Sequence, residues 1–260
     1  MAEVDQVALV TGATSGIGLE ITRRLASSGR RVYICARNAD TLASTIKSFQ
    51  DEGFEVDGQT CDVTSQEDIK AFVKAGAERF GPVDILVNNA GRSGGGVTKD
   101  VPDELWFDVI NTNLNSVFLM TKEVLNNGGM LEKGWGRIIN IASTGGKQGV
   151  IHGAPYSASK HGVVGLSKAL GLELAKTGVT VNAVCPGFVE TPMAERVREV
   201  YSGMWDVSVE EVRERVNARV PIGRYVVPEE VAAMVEYLVG PGANSVTAQA
   251  LNVCGGLGNY

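Results

Sequence analysis

The sequence has 260 residues, 44% of them hydrophobic and 21% charged, which suits one soluble α/β domain with a sizeable core. A net charge of −6 argues against a general nucleic-acid binder, and no run of 18 or more apolar residues offers a membrane span. Cys35, Cys61, Cys185 and Cys254 form no Cys-x-x-Cys pair, the two histidines make no metal site, and no signal peptide is visible; the expectation is a reduced, cytoplasmic protein with buried free thiols.

In chain order, a short apolar run at 7–10 leads into Thr11-Gly12-Ala13-Thr14-Ser15-Gly16-Ile17-Gly18. An amphipathic helix follows, with Ile17, Ile21 and Leu25 on one face, and ends near Gly29. Strand, glycine turn and helix in this order suit a pyrophosphate. The glycines permit a tight turn and close approach, and the helix N-terminus favours anions. The spacing is Gly-x-x-x-Gly-x-Gly rather than Gly-x-Gly-x-x-Gly, and a bare tight turn is the alternative. Residues 31–36 read as a second strand ending at Arg37. Such a strand end meets the adenosine ribose, where arginine suits a 2′-phosphate and an acidic residue a 2′-hydroxyl. The expected cofactor is therefore NADPH, with Arg37 as the phosphate clamp; a solvated arginine is the alternative.

A third strand at 55–61 is followed by Asp62 and Val63. Asp62 either meets adenine or caps the helix expected at 65–80. A fourth strand at 84–87 ends in Asn88-Asn89-Ala90-Gly91, which can hold a turn or line the cofactor floor. Arg92-Ser93-Gly94-Gly95-Gly96 reads as a flexible loop that shapes a substrate channel, or as a plain linker. A long helix is expected over 105–131. It contains Asn111, Asn113 and Asn115, poor residues for a helix interior. Asn113 is a candidate for a local break that holds a water; an exposed polar face is the alternative.

A fifth strand at 136–141 ends in Ala142-Ser143-Thr144. Ser143 would face the crevice at the strand ends, where its hydroxyl can bond a carbonyl oxygen; a turn cap is the alternative. Tyr156 and Lys160 lie four residues apart on the helix expected over 156–176, so they share one face. A cation beside a phenol lowers its pKa from about 10 and fits it for proton transfer. A half-buried tyrosine above a surface lysine is the alternative. After a sixth strand at 179–185, Pro186-Gly187-Phe188-Val189-Glu190-Thr191 returns to the ligand side. Residues 192–223 break the strand–helix rhythm with Met193, Tyr201, Met204 and Trp205, and read as a mobile substrate lid or as core packing. A last helix at 228–239 and a seventh strand at 250–253 complete one domain over 1–260, without repeat or linker.

Gly12-x-x-x-Gly16-x-Gly18, Asn88-Asn89-Ala90-Gly91, Asn113, Ser143, Tyr156-x-x-x-Lys160 and Pro186-Gly187 occur in order and register. With them the chain resembles the short-chain dehydrogenase/reductase family. The stretches 89–92, 141–149, 154–156, 184–193 and 251–260 resemble, more narrowly, the actinorhodin-type ketoreductases of aromatic polyketide synthases. The resemblance implies a Rossmann-type, doubly wound, seven-stranded parallel sheet with helices on both faces. It implies NADPH-dependent reduction of one ketone, commonly at C9, of a poly-β-ketone on an acyl carrier protein, by a homotetramer. Asn113, Ser143, Tyr156 and Lys160 would be catalytic, with Lys160 lowering the tyrosine pKa. Thr11, Gly12, Thr14, Ser15, Gly16, Ile17, Gly18, Arg37, Asp62, Val63, Asn89, Gly91, Tyr156, Lys160, Pro186, Gly187, Val189 and Thr191 would hold the cofactor. Arg92, Gly94, Gly95, Thr144, Gln148, Val150, Met193, Tyr201 and Trp205 would meet substrate or carrier. Carrier protein is acidic, so docking needs a basic patch, with Arg92 first and Arg219 and Arg224 behind it. Ser93-Gly94-Gly95 departs from the subgroup's Pro-Gly-Gly, which bears on the hand of the product. A fatty-acid type 3-oxoacyl-carrier-protein reductase, a small-molecule carbonyl or alcohol dehydrogenase and a silent dinucleotide-binding sensor or scaffold are the other readings.

Overall fold

A computed structural model describes residues 5–260. Among them the chain runs β1 (Val7–Thr11), α1 (Gly16–Ser27), β2 (Arg31–Ala36), α2 (Ala39–Asp51), β3 (Val56–Thr60), α3 (Gln66–Phe80) and β4 (Ile85–Asn88). It continues through α4 (Asp103–Ile110), a wide π-helical turn (Asn111–Asn115), α5 (Ser116–Asn127), α6 (Met130–Lys133), β5 (Gly136–Ile141), α7 (Ala154–Glu173) and β6 (Val179–Pro186). The last elements are α8 (Pro192–Trp205), α9 (Val209–Arg219), α10 (Pro228–Val239) and β7 (Ala250–Val253). The strands form one parallel sheet in the order β3-β2-β1-β4-β5-β6-β7. The strand order reverses between β1 and β4, and such a reversal opens a crevice at the C-terminal strand ends.

The sheet buries both faces, because successive side chains point to opposite sides. Ala8, Val10, Ile34 and Ile139 pack with Leu25 of α1, Phe49 of α2 and Val235 of α10. Leu9, Tyr33, Leu86 and Ile138 pack on the other face with Phe72 of α3 and Met120 of α5. Each large side chain so removed from water contributes about 2–3 kcal/mol before entropy is counted. The four cysteines are free and buried. No described helix is long and apolar enough to cross a membrane.

The strands at 31–36, 136–141 and 250–253 and the helix at 228–239 fall where the sequence places them. Three regions differ. Helix α2 is not among the sequence expectations, yet Asn38 caps it by accepting the Thr41 N–H at 2.8 Å, and Leu42 and Phe49 bury its inner face. The long helix expected at 105–131 runs continuously from Asp103 to Asn127 through the π-helical turn, and α6 follows as a separate piece. One extra residue widens it at Asn111–Asn115, and Gly129, at φ +81°, ends the run before α6. The insertion at 192–223 is a pair of capped helices rather than a loose lid. Thr191 and Ser208 accept the N–H groups of Ala194 and Glu211. The Arg198 guanidinium, buried in α8, donates to Glu190 at 2.6 Å and lies over the Tyr225 ring.

Candidate active site

The glycine turn joins β1 to α1 under tight packing. Gly12 has φ +66°, and a Cβ there would stand 2.9 Å from the Ala90 Cα. At Gly18 a Cβ would come within 2.3 Å of both the Gly12 oxygen and Asn89 Nδ2, so this glycine serves helix–strand contact. Asn89 Nδ2 donates to the Thr11 and Gly12 carbonyls at 2.9 Å, while Thr11 Oγ1 accepts from the Asn89 and Ala90 N–H groups. Asn89 is thus a brace beneath the turn. Asn88 braces deeper, donating to Thr121 Oγ1 and Asn140 Oδ1. Ser15 precedes α1 without capping it, which leaves first-turn N–H groups for an anion. Thr14 and Ile17 flank Ser15, half-buried. Gly16, at φ +53°, faces Thr191 across the crevice, 3.1 Å from a would-be Cβ to Thr191 Cγ2.

The rest of this cleft comes from the strand ends. Arg37 is exposed and makes no ion pair among the described residues. Asp62 accepts the Thr64 N–H at 2.9 Å and hydroxyl at 2.7 Å, which hold its carboxyl below the usual range, with Arg37 adding a smaller pull. It therefore braces a turn; the cap of α3 is Ser65. Val63 is buried in the core. Gly187 donates to the Val253 carbonyl at 3.0 Å, Val189 bridges to Val226, and Thr191 caps α8; Pro186 ends β6. An anion-favouring helix start, glycines with no room for side chains and an unpaired arginine past β2 fit a 2′-phosphorylated dinucleotide.

At the middle of the crevice, Ser143 follows β5 and accepts the Gly145 N–H at 3.0 Å. A Cβ on Gly145 would lie 3.3 Å from both Ser143 Oγ and Tyr156 Cε1, so the two side chains flank one point. One turn along α7, Lys160 is buried rather than at the surface. Its Nζ donates to the Ile141 carbonyl at 2.7 Å and stands 5.9 Å from the Tyr156 ring centroid. Burial lowers Lys160 to about 8. The Tyr156 phenol departs from expectation. Burial raises its pKa, the Ser143 hydroxyl opposes that rise, and the lysine does not reverse it.

Asn113 is fully buried on the wide turn. Its Oδ1 accepts the Arg92 N–H at 2.8 Å, and its Nδ2 donates to the Arg92 carbonyl at 2.9 Å and to Ser159 Oγ at 3.1 Å. Both amide hydrogens are engaged, and Oδ1 keeps one lone pair. A Cβ on Gly91 would meet Asn113 Oδ1 at 3.3 Å and Lys160 Nζ at 3.6 Å, so both atoms flank the Gly91 backbone.

The mouth is less loose than three consecutive glycines suggest. A Cβ on Gly94 would strike Val109 Cγ2 at 2.4 Å, and one on Gly95 would strike the His152 oxygen at 2.0 Å. Gly96 donates to that same oxygen at 2.7 Å, and His152 holds φ +59°. Thr144 is buried, whereas Gln148 and Val150 are exposed on the facing loop. Tyr201 and Trp205 stack at 4.8 Å on α8, with Met193 half-buried at its start. Of the basic candidates, Arg92 is ion-paired with Asp108 and Arg224 with Glu230. Arg219 is exposed, makes no ion pair among the described residues, and lies near enough to Tyr201 to bear on its phenol.

Residues 6–202 match the family model described as short chain dehydrogenase. The chain is 72% identical to a ketoacyl reductase of the granaticin polyketide synthase from Streptomyces violaceoruber, covering 98% of this chain and 93% of that one. It is 40% identical to the 3-oxoacyl-[acyl-carrier-protein] reductase FabG of Vibrio cholerae, over 97% of each. A crystal structure of a substituted actinorhodin polyketide ketoreductase with NADPH superposes with a TM-score of 0.96 at 69% identity, covering 98% of both chains.

Proposed function

We propose that this chain, which belongs to the short-chain dehydrogenase family, reduces a ketone of a carrier-bound poly-β-ketone in aromatic polyketide biosynthesis, at C9. It is an NADPH-dependent ketoreductase of the polyketide kind rather than the fatty-acid kind, given 72% and 69% identity to polyketide reductases against 40% to FabG. The observation that carries the reading is the meeting of Ser143, Tyr156 and Lys160 at the foot of the crevice.

When bound, the nicotinamide supplies the hydride. Tyr156 keeps its proton near neutral pH, because burial raises its pKa, and so is poised to protonate the oxygen of the reduced ketone. Ser143 donates to that oxygen as negative charge develops, an interaction stronger in the transition state than before it. Lys160, held by the Ile141 carbonyl, keeps ammonium protons that would bond the cofactor ribose. A water between Asn113 Oδ1 and Lys160 Nζ, beside Gly91, would return the proton from solvent. Arg37 selects the 2′-phosphate. Gly94, Gly95 and His152 form one wall of the substrate path, and Tyr201 and Trp205 the other. Arg219, the last residue of α9, is the first basic contact for an acidic carrier, since Arg92 is already paired with Asp108. A homotetramer is the assembly this reading carries.

The test is NADPH oxidation with a bicyclic ketone such as trans-1-decalone, against an acetoacetyl thioester, with Tyr156→Phe as control. Preference for the bicyclic ketone, abolished in the variant, is the expected result. Preference for the short thioester would transfer the chain to fatty-acid reduction. NADPH binding without turnover of either would favour a sensor or scaffold.

A further inference from the structure

Two serines of α7 have the same chemistry. Ser159 is fully buried; its hydroxyl donates to the Tyr156 carbonyl at 2.7 Å and accepts from Asn113 Nδ2 at 3.1 Å. Ser167 is fully buried too; its hydroxyl donates to the Val163 carbonyl at 2.7 Å and accepts from Asn140 Nδ2 at 2.9 Å. Each uses its one proton on its own helix and one lone pair on an asparagine from elsewhere. They differ in what the asparagine holds. Asn140 lies within β5 and bonds Asn88 of β4, so the Ser167 link ties α7 to the sheet. Asn113 lies on the wide turn and grips the Arg92 backbone at both N–H and carbonyl.

Ser159 therefore joins three segments distant in sequence: the loop that starts at Arg92, the wide turn, and the first turns of α7. Tyr156 and Lys160 bracket it. The carbonyl it bonds belongs to Tyr156 itself, and the amide it accepts belongs to the residue whose Oδ1 flanks Gly91 together with Lys160 Nζ. Buried networks of this kind polarise and stiffen one another, and small displacements of reacting groups are costly to rate.

We propose that Ser159 is a positioning residue for the reduction: it fixes Asn113 and the Arg92 loop against the turn of α7 that carries Tyr156 and Lys160. Ser167 performs the equivalent bond for stability alone. Without the Ser159 hydroxyl, one Asn113 hydrogen loses its acceptor, and the spacing between the wide turn and the Tyr156–Lys160 turn is no longer set. The proposal rests on the reductase reading above.

The matched pair makes the test. Ser159→Ala and Ser167→Ala are compared with the parent for ketone turnover against pH, NADPH affinity and melting temperature. Both variants should lose similar melting temperature and keep NADPH affinity within about twofold. Ser159→Ala should lose at least about tenfold in kcat, as a small displacement of the reacting groups entails, and shift the alkaline limb of its pH profile. Ser167→Ala should stay within about twofold of the parent, with an unchanged profile. Equal kcat in the two variants would overturn the proposal, as would a Ser159→Ala loss traced wholly to weaker NADPH binding. Should Ser159→Ala not fold, Ser159→Cys decides by the same criterion, since a thiol keeps the volume and donates weakly. A parent that turns over no ketone would strike the reductase reading itself; an active parent with a fully active Ser159→Ala strikes only this proposal.

Discussion

The two ends of the sheet bury charge for different uses. At the N-terminal end, Asp84 accepts the Val7 N–H at 2.9 Å and the Lys133 ammonium. Arg137 is held by the Gly136 carbonyl, Asn244 Oδ1 and the face of Trp135, and Arg30 by Gln6. At the C-terminal end, Lys160 is as deeply buried, its one hydrogen bond among the described residues goes to the Ile141 carbonyl, and the exposed Arg37 makes no ion pair among them. A buried charge with partners holds a fold together; one left under-partnered is unstable as it stands and available for a ligand. Compensation is incomplete at both ends, since Arg137 Nε and Thr180 Oγ1 are buried without a partner at the N-terminal end; the reacting end differs in having its buried ammonium beside the crevice.

Four measurements would sharpen or break this contrast. The largest effect belongs to Tyr156→Phe, expected to lower kcat about 1,000-fold with an unchanged melting temperature; a large fall in melting temperature would move the tyrosine to the structural side. Next is the pH dependence of stability. Lys160 titrates near 8 when folded, below its ordinary 10.5. Between these values the unfolded chain holds the extra proton, so stability should rise with pH across this window. The gain is at most about 3 kcal/mol. Urea unfolding at pH 7 and pH 10 should show a rise in the parent that Lys160→Met lacks. At the other end, Asp84→Ala strands Lys133 and the Val7 N–H. It should cost about 2–3 kcal/mol of stability while kcat per folded molecule stays constant. The smallest expected effect is a roughly tenfold loss of NADPH affinity in Arg37→Ala with NADH affinity unchanged, read by fluorescence titration; equal losses for both would remove the 2′-phosphate contact.

The sequence made the repeating part of this molecule legible. Strands such as 136–141, apolar and sharply bounded, declare themselves, and the glycine turn, Ser143 and the Tyr156–Lys160 pair announce their neighbourhood by spacing. What stayed hidden depends on contacts between distant segments. That Lys160 turns to the Ile141 carbonyl, that Gly95 is wedged on His152, and that Arg92 is neutralised by Asp108 are facts of packing with no local signature. The pair α8 and α9 is masked by its polar composition, though Thr191 and Ser208 are recognisable caps. Ser159 occupies an unconstrained position inside a motif, where only its three-dimensional partners distinguish it from Ser157. Helix α2 was readable from Asn38, Leu42 and Phe49.

The wide turn at Asn111–Asn115 has a genetic corollary. An α-helix advances about 100° per residue, and a π-turn absorbs one surplus residue without ending the helix. Loss of a single codon here would leave a regular, well-formed helix of the kind that tolerates deletion elsewhere on a surface. The flanks would stay in phase, because the π-turn already absorbs the surplus residue; what would be lost is the wide turn itself, and with it the placement of Asn113 against Arg92 and Ser159. In-frame deletions within this turn should therefore yield soluble, folded chains that reduce nothing, and the gene should accept substitution there more readily than any change in length.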